Sequence, residues 1–303
     1  MEPHPLADGP IFSLKLGSQS VVVLANGEFI KKVVDKKSGN YSDRPKLYMQ
    51  DIWEGSRIIM RGYDSLWKVE RKLYHQFLNI NKAGRYIPYQ DLETKQLIRD
   101  LLENPVGFEE LITRSTLSIA TSMAYGFRVL DRTSPVMQEL LKNTHGFFVM
   151  VNSSKLLDWY PQLRPVVKWM PSFLYPMARK AKQVFYRERA QFRELYDEAN
   201  RTAQMDGSLP SMNHRLGFTI PTDNLSTGFS TDINHARETW KGSENGDLLT
   251  SHAASYIAGI AMEGAADTTS NTLAGLIKVR KPLRLPTTQP IGRSTTNNLI
   301  SRQ

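Results

Sequence analysis

The stretch from about Asp247 to Val279 is long, mostly apolar and helical in pattern, and Gly-Ala-Ala-Asp-Thr-Thr at 264–269 sits inside it. Residues 248–262 are apolar enough to raise the question of a membrane span, but His252, Glu263 and Asp267 interrupt the segment. The pattern therefore predicts a buried core helix around which the rest of the chain packs. Tyr256, Ile260, Gly264 and Thr268 are spaced by four and share one face. Glycine in a helix interior costs about 1 kcal/mol against alanine, so Gly264 calls for a reason, such as close approach of a ligand or of another helix. Asp267 and Thr268 are neighbours whose side chains diverge by about 100° around the axis. An acid followed by an alcohol can relay protons to something bound beside them. Small residues packing against a second helix are the other reading of the same spacing.

The remaining pattern is largely helical. Ile11 to Leu24 alternates and is punctuated at Gly17, which predicts a β-hairpin. Asn26 is a candidate N-cap for a helix to about Asp35, ended by Ser38-Gly39-Asn40 and followed by a loop from Tyr41 to Pro45. Helices are predicted over 64–80, with Asp64 or Ser65 as N-cap, and over 88–103, 108–125, 134–153, 176–203 and 247–279. Residues 159–176, with four prolines, read as a broken connector. Its aromatic content suits buried packing or contact with a membrane surface. Residues 204–246 read as a polar linker, and the segment after Lys278 as a disordered or loosely attached tail. The expected organisation is an N-terminal tail over 1–8, one domain over 9–278 and a divergent tail over 279–303. The fold class is mainly α with a small β-sheet.

Composition removes several functions. The net charge of +9 comes from basic residues spread along the chain, which reads as a solvated surface and not as a nucleic-acid site. The first ten residues hold no apolar core, so no signal peptide or membrane anchor is expected. With no cysteine there is no disulfide, thiolate nucleophile or thiolate metal ligand. The six histidines form no ligand-spaced pair, and no metal site is expected.

Trp67 and Arg71 stand at i and i+4 on a predicted helix, an indole N–H beside a guanidinium, suited to carboxylates or phosphates. A Trp packed on an Arg stem is the plainer reading of that pair alone. Taken in order with 264–269, the pattern is far more specific. The chain resembles a cytochrome P-450, a haem-thiolate monooxygenase, and particularly the microsomal fungal type of secondary metabolism. The family's WxxxR motif maps to Trp67 and Arg71. Its [AG]-Gx-[DE]-T-[TS] motif maps to Gly264, Asp267, Thr268 and Thr269, with Ala265 departing from the usual second glycine. Gly9-Pro10-Ile11-Phe12 with the hairpin, Tyr41 to Pro45, and the proline-rich 159–176 resemble flanking parts of the family, so the likeness covers about residues 9–278.

The resemblance implies haem held at its propionates by Trp67 and Arg71, proton delivery by Asp267 and Thr268, and a small hydrophobic substrate bordered by Ile260 and Gly264. It implies NADPH as electron source through a reductase partner, and the endoplasmic reticulum membrane surface as location. With no anchor expected, the cytoplasm is equally open. A complete member continues well past this helix to an ExxR pair and a cysteine-bearing loop that supplies the axial thiolate. Glu198-Ala199-Asn200-Arg201 spells ExxR but precedes the long helix, and reads as a chance match. The expectation is an incomplete cytochrome P-450 fold lacking the cysteine-ligand-loop region, inactive as it stands. A haem-free helical interaction protein and a product of a decayed or mis-spliced gene are the alternatives.

Overall fold

A computed structural model describes residues 9–171, 174–204 and 228–280. The expectations for the tails at 1–8 and beyond 280 lie outside the described residues, as does most of the predicted linker. Strands β1 (Ile11–Leu16) and β2 (Gln19–Leu24) form an antiparallel hairpin with Leu16 opposite Gln19. Its two-residue turn is opened by Gly17 at φ +62°, the left-handed conformation that such tight turns require. The hairpin tip docks on the proline-rich connector: Ser18 N–H donates to the Trp159 carbonyl at 3.0 Å, and Ser18 Oγ reaches Gln162 Oε1 at 3.1 Å.

The long helices are α1 (Ser65–Phe77), α2 (Ile87–Glu103), α3 (Phe108–Tyr125), α4 (Pro135–Ser153), α5 (Pro176–Gln204), α6 (Phe229–Thr239) and α7 (Ser251–Arg280). The core lies where α3, α4 and α5 close on the first half of α7, with Trp53, Phe147, Phe185, Phe192, Ile233 and Tyr256 among its residues. Asn26 caps the helix Gly27–Ile30 as predicted, accepting from the N–H groups of Glu28 and Phe29. Asp64 caps α1 by accepting from Trp67 N–H at 2.7 Å.

Three segments differ from the sequence expectation. Ser38–Tyr41 is a short helix, where the sequence predicts Ser38 to Asn40 to end a helix and Tyr41 to open a loop. The supposed linker contains α6, because Phe229, Ile233 and Ala236 recur at helical spacing and are buried, together with Ser230. The long helix begins at Ser251. A separate short helix, Glu244–Leu248, precedes it, and Thr250 closes the gap by accepting from Ala253 N–H at 3.1 Å.

Burial along α7 also departs from the expectation of a core helix throughout. Ala253 to Gly259 are all buried, but from Gly264 to Lys278 only Ala266 and Ser270 are. Among the described residues, no helix is long and apolar enough to cross a membrane.

Candidate functional site

The first half of α7 is held along one seam, at His252, Tyr256, Gly259 and Glu263, whose spacing of i, i+4, i+7 and i+11 keeps them on one face. His252 Nε2 lies 2.8 Å from Ser56 Oγ, and burial lowers the His252 pKa. Tyr256 packs edge-on against Phe192, with ring centroids 5.3 Å apart. At Gly259 an added Cβ would stand 2.5 Å from the Phe192 ring, so here the glycine serves close approach. At the end of the seam, Glu263 Oε2 accepts from Arg57 Nη1 at 2.8 Å.

Ser56 and Arg57 both come from one turn. Glu54 and Gly55 adopt positive φ, +51° and +65°, which reverses the chain after Trp53. Trp53, Ser56 and Arg57 then all reach inward: Trp53 Nε1 donates to Glu188 Oε1 at 3.0 Å, and Arg57 Nη2 donates to Glu188 Oε2 at 2.5 Å. Arg57 also sits 3.7 Å over the Phe147 ring. Two carboxylates thus share one buried guanidinium. Burial raises the Glu188 pKa, opposed by Arg57 and reinforced by Glu263. Sequence reasoning missed Arg57 and Glu188. Glu263 was visible as a charge inside an apolar stretch, a position that demands a partner.

On the opposite side the second half of α7 is bare. Gly264, Ala265, Thr268 and Thr269 are exposed, and a Cβ added at Gly264 would meet nothing within 4 Å. Thr268 Oγ1 donates to the Gly264 carbonyl at 2.6 Å, the back-bond expected of a mid-helix threonine. Ile260 is half-buried against the core. Beside Ala261 and Ala265 lies an apolar cleft of about 160 Å³, lined also by Leu78, Met123 and Phe229.

Helix α1 runs to this side. Tyr74 Oη donates to the Ile257 carbonyl of α7 at 2.9 Å, and Leu78 follows into the cleft. One and two turns earlier on the same face stand Arg71 and Trp67. Trp67 packs on Tyr63 at 5.0 Å, and the Arg71 guanidinium lies 5.9 Å from the Trp67 ring. Neither the indole N–H nor the guanidinium has an acceptor among the described residues. The inner face of α1 buries Val69, Glu70 and Leu73. Burial pushes the Glu70 carboxyl up to about 7, against the pull of Arg61 at 3.4 Å.

The side chains of Asp267 and Thr268 diverge: Thr268 turns back on the Gly264 carbonyl, while Asp267 lies toward α3 and α4. Asp267 accepts from Asn271 Nδ2 at 3.2 Å and lines a second cleft, of about 110 Å³, between α3, α4 and α7. Thr113, Thr144, Glu263 and Ser270 line it too.

The family model for cytochrome P450 matches residues 7–277. The chain belongs to the cytochrome P450 family. Among curated relatives, cytochrome P450 monooxygenase fogE of Aspergillus ruber is 33% identical over 89% of this chain and 46% of its own length. The virE monooxygenase of Hypocrea virens is 34% identical over 67% of this chain and 37% of its own length. The chain therefore spans less than half the length of these relatives. A zebrafish cytochrome P450 solved with progesterone shares the fold at TM-score 0.66 and 15% identity, over 90% of this chain and 56% of that one. The P450 fold seen here is thus a part of the family's fold, mainly α with a small two-stranded sheet.

P450 enzymes carry haem on a cysteine thiolate, and the residues present match that group on one side only. The unpaired donors of Trp67 and Arg71 suit anionic propionates, and the bare Gly264–Ala265 surface suits a flat group. With no cysteine, no residue of this sequence can give the thiolate ligand.

Proposed function

We propose that this chain contributes the distal, substrate-side part of a haem-dependent monooxygenase that oxidises a small hydrophobic compound in fungal secondary metabolism, and that the chain alone is catalytically inactive. What supports this reading is a Trp67–Arg71 donor pair without an acceptor among the described residues, on the face of α1 that reaches α7 through Tyr74, together with the bare Gly264–Ala265 surface of α7. Trp67 Nε1 and Arg71 would hold the haem propionates. When bound and ligated by thiolate, haem supplies the activation of dioxygen. The rest falls to side chains. Ile260 and Gly264 border the substrate, and the apolar cleft beside Ala265 suits a small hydrophobic group. Thr268 Oγ1, whose proton is held on the Gly264 carbonyl, keeps lone pairs free to accept a hydrogen bond from a bound water and orient it. Asp267 would supply the proton that such a water carries, from the neighbouring cleft. Electrons would come from NADPH through a reductase partner.

A separate feature supports the location. Trp159, Leu163, Val166 and Trp169 of the connector are exposed beside the docked hairpin tip. These residues, with the exposed Lys155 and Lys168 among them, suit peripheral contact with the endoplasmic reticulum membrane.

The test is to express residues 1–303 and titrate them with haem, following absorbance. Arg71→Ala should weaken uptake by about tenfold or more, the value of a charge-assisted hydrogen bond, and Trp67→Phe by less. Equal affinity in all three proteins would remove the propionate assignment. No uptake by the parent chain would favour a haem-free helical interaction protein. The reduced, carbon-monoxide-bound spectrum should lack the thiolate-type band that gives the family its name, and a thiolate band would overturn the inactivity.

A further inference from the structure

The segment from Tyr41 to Pro45 has no part in the haem and substrate contacts assigned above, yet its Asp43 makes a contact distant in sequence. Asp43 Oδ1 accepts from its neighbour's Arg44 N–H and from Tyr63 N–H, both at 2.9 Å, and so ties the segment to the turn that leads into α1. The two N–H groups, that of Tyr63 first, hold the Asp43 carboxyl below the usual carboxylate range. It is therefore ionised at neutral pH, and both bonds are charge-assisted. Arg44 Nη1 donates to the Ser42 carbonyl at 3.1 Å and braces the segment from within. A Cβ added at Gly62 would stand 2.5 Å from Asp43 Oδ1, so the residue before Tyr63 is small where the carboxylate comes close.

Tyr63 in turn braces Trp67. Asp64 fixes only the backbone of Trp67, by accepting from its N–H. The indole is half-buried and rests on the Tyr63 ring, with centroids 5.0 Å apart and 54° between the planes. Lys68 Nζ lies 5.0 Å from the centre of the Tyr63 ring. Tyr63 is itself exposed, so the place of its ring depends on where its backbone is pinned.

We propose that Asp43 is a positioning residue for the Trp67–Arg71 donor pair: by pinning the Tyr63 backbone it sets the Tyr63 ring against Trp67, and so aims the indole N–H at the anion that Arg71 also binds. That the anion is a haem propionate rests on the monooxygenase reading; the brace on Trp67 does not. Charge alone points the other way. A carboxylate beside an anion site repels the anion, so an Asp43 that acted only through its charge would weaken binding, and its removal would tighten it.

Two variants separate these effects, and because Asp43 is exposed both leave the core alone. Asp43→Ala removes the acceptor and the charge, whereas Asp43→Asn removes the charge and keeps a side-chain oxygen. In haem titrations of the full chain, Asp43→Ala should weaken uptake roughly two- to fivefold, the lower part of what an aromatic pair is worth. Asp43→Asn should recover most of that loss, and in a Tyr63→Leu background Asp43→Ala should change nothing further. Unchanged or tighter uptake in Asp43→Ala, or an equal loss without the Tyr63 ring, overturns the positioning role. A second readout needs no haem. The near-ultraviolet circular dichroism that Trp67 contributes, read as the difference made by Trp67→Phe, should shrink in Asp43→Ala and persist in Asp43→Asn. If that signal shrinks while the parent chain takes up no haem, the brace stands and only the propionate assignment falls. A signal that Asp43→Ala leaves unchanged removes the brace itself.

Discussion

Helices α1 and α7 each have a sealed side and a bare side, and the two sides obey different physics. On the sealed side of α7 every position is fixed by a partner: Ser56 for His252, Phe192 for Gly259, Arg57 for Glu263. On the bare side Gly264, Thr268 and Thr269 touch little beyond their own helix. The same holds for α1, where Glu70 is buried two turns from the free end while its neighbour Arg71 faces outward. Stability therefore resides on one side and the proposed recognition residues on the other. A substitution should act on folding or on binding according to the side it occupies.

The largest effect should come from Arg57→Ala. It leaves Glu188 and Glu263 buried together without their cation, and breaking a buried pair in this way costs about 3–5 kcal/mol. Urea unfolding at pH 7 would measure it. A loss as small as that of a surface substitution would mean that the seam is not what holds α7.

Glu70 gives the sealed side of α1 a pH signature. Its folded-state pKa, raised from 4.5 to about 7, means that the folded protein binds the extra proton between those values. Stability should be fully present below about pH 4.5, fall as pH rises, and level off above pH 7. At 1.36 kcal/mol per pH unit the window is worth on the order of 3 kcal/mol. Glu70→Gln should remove that part of the slope, read as the difference between two unfolding series across pH 4–8. A slope unchanged by the substitution would mean that Arg61 offsets the burial completely.

What could be read in the sequence divides along the same line. The bare side was legible because its residues are unusual for where they stand: Gly264 in a helix interior, Asp267 and Thr268 side by side, Trp67 four residues before Arg71. The sealed side was not. The partners of Glu263 lie 206 and 119 residues away, at Arg57 and Thr144, and neither has a local pattern that announces the contact. Helix α6 was lost because its apolar stripe of Phe229, Ile233 and Ala236 is thin among polar neighbours, and composition outweighed spacing. The divergence of Asp267 from Thr268 followed from helix geometry alone, but that it would place Asp267 in a separate cleft depended on where α3 and α4 pack.

Gly259→Ala tests the seam at a single methyl group. The new Cβ would meet the ring of Phe192, a fully buried side chain, at 2.5 Å. The ring cannot move away cheaply in a close-packed core, so the helix gain from alanine is outweighed and the net cost should be about 1–3 kcal/mol.

Gly264→Ala is the smallest effect and has the opposite sign. Five residues further along the same helix, the added methyl meets nothing within 4 Å, so only the backbone term remains. Alanine restricts the unfolded chain and suits the helix, and the variant should be more stable by roughly 0.5–1 kcal/mol. Thr268 should keep its bond to the residue 264 carbonyl, since that bond involves no side-chain atom of residue 264. The same methyl would stand on the surface that the proposed function assigns to haem and substrate, so haem uptake should weaken while folding improves. Thermal unfolding and haem titration of one preparation would read both. A stabilised variant with unaltered uptake would leave Gly264 without a role in binding, and a destabilised one would mean that the bare side of α7 is covered after all.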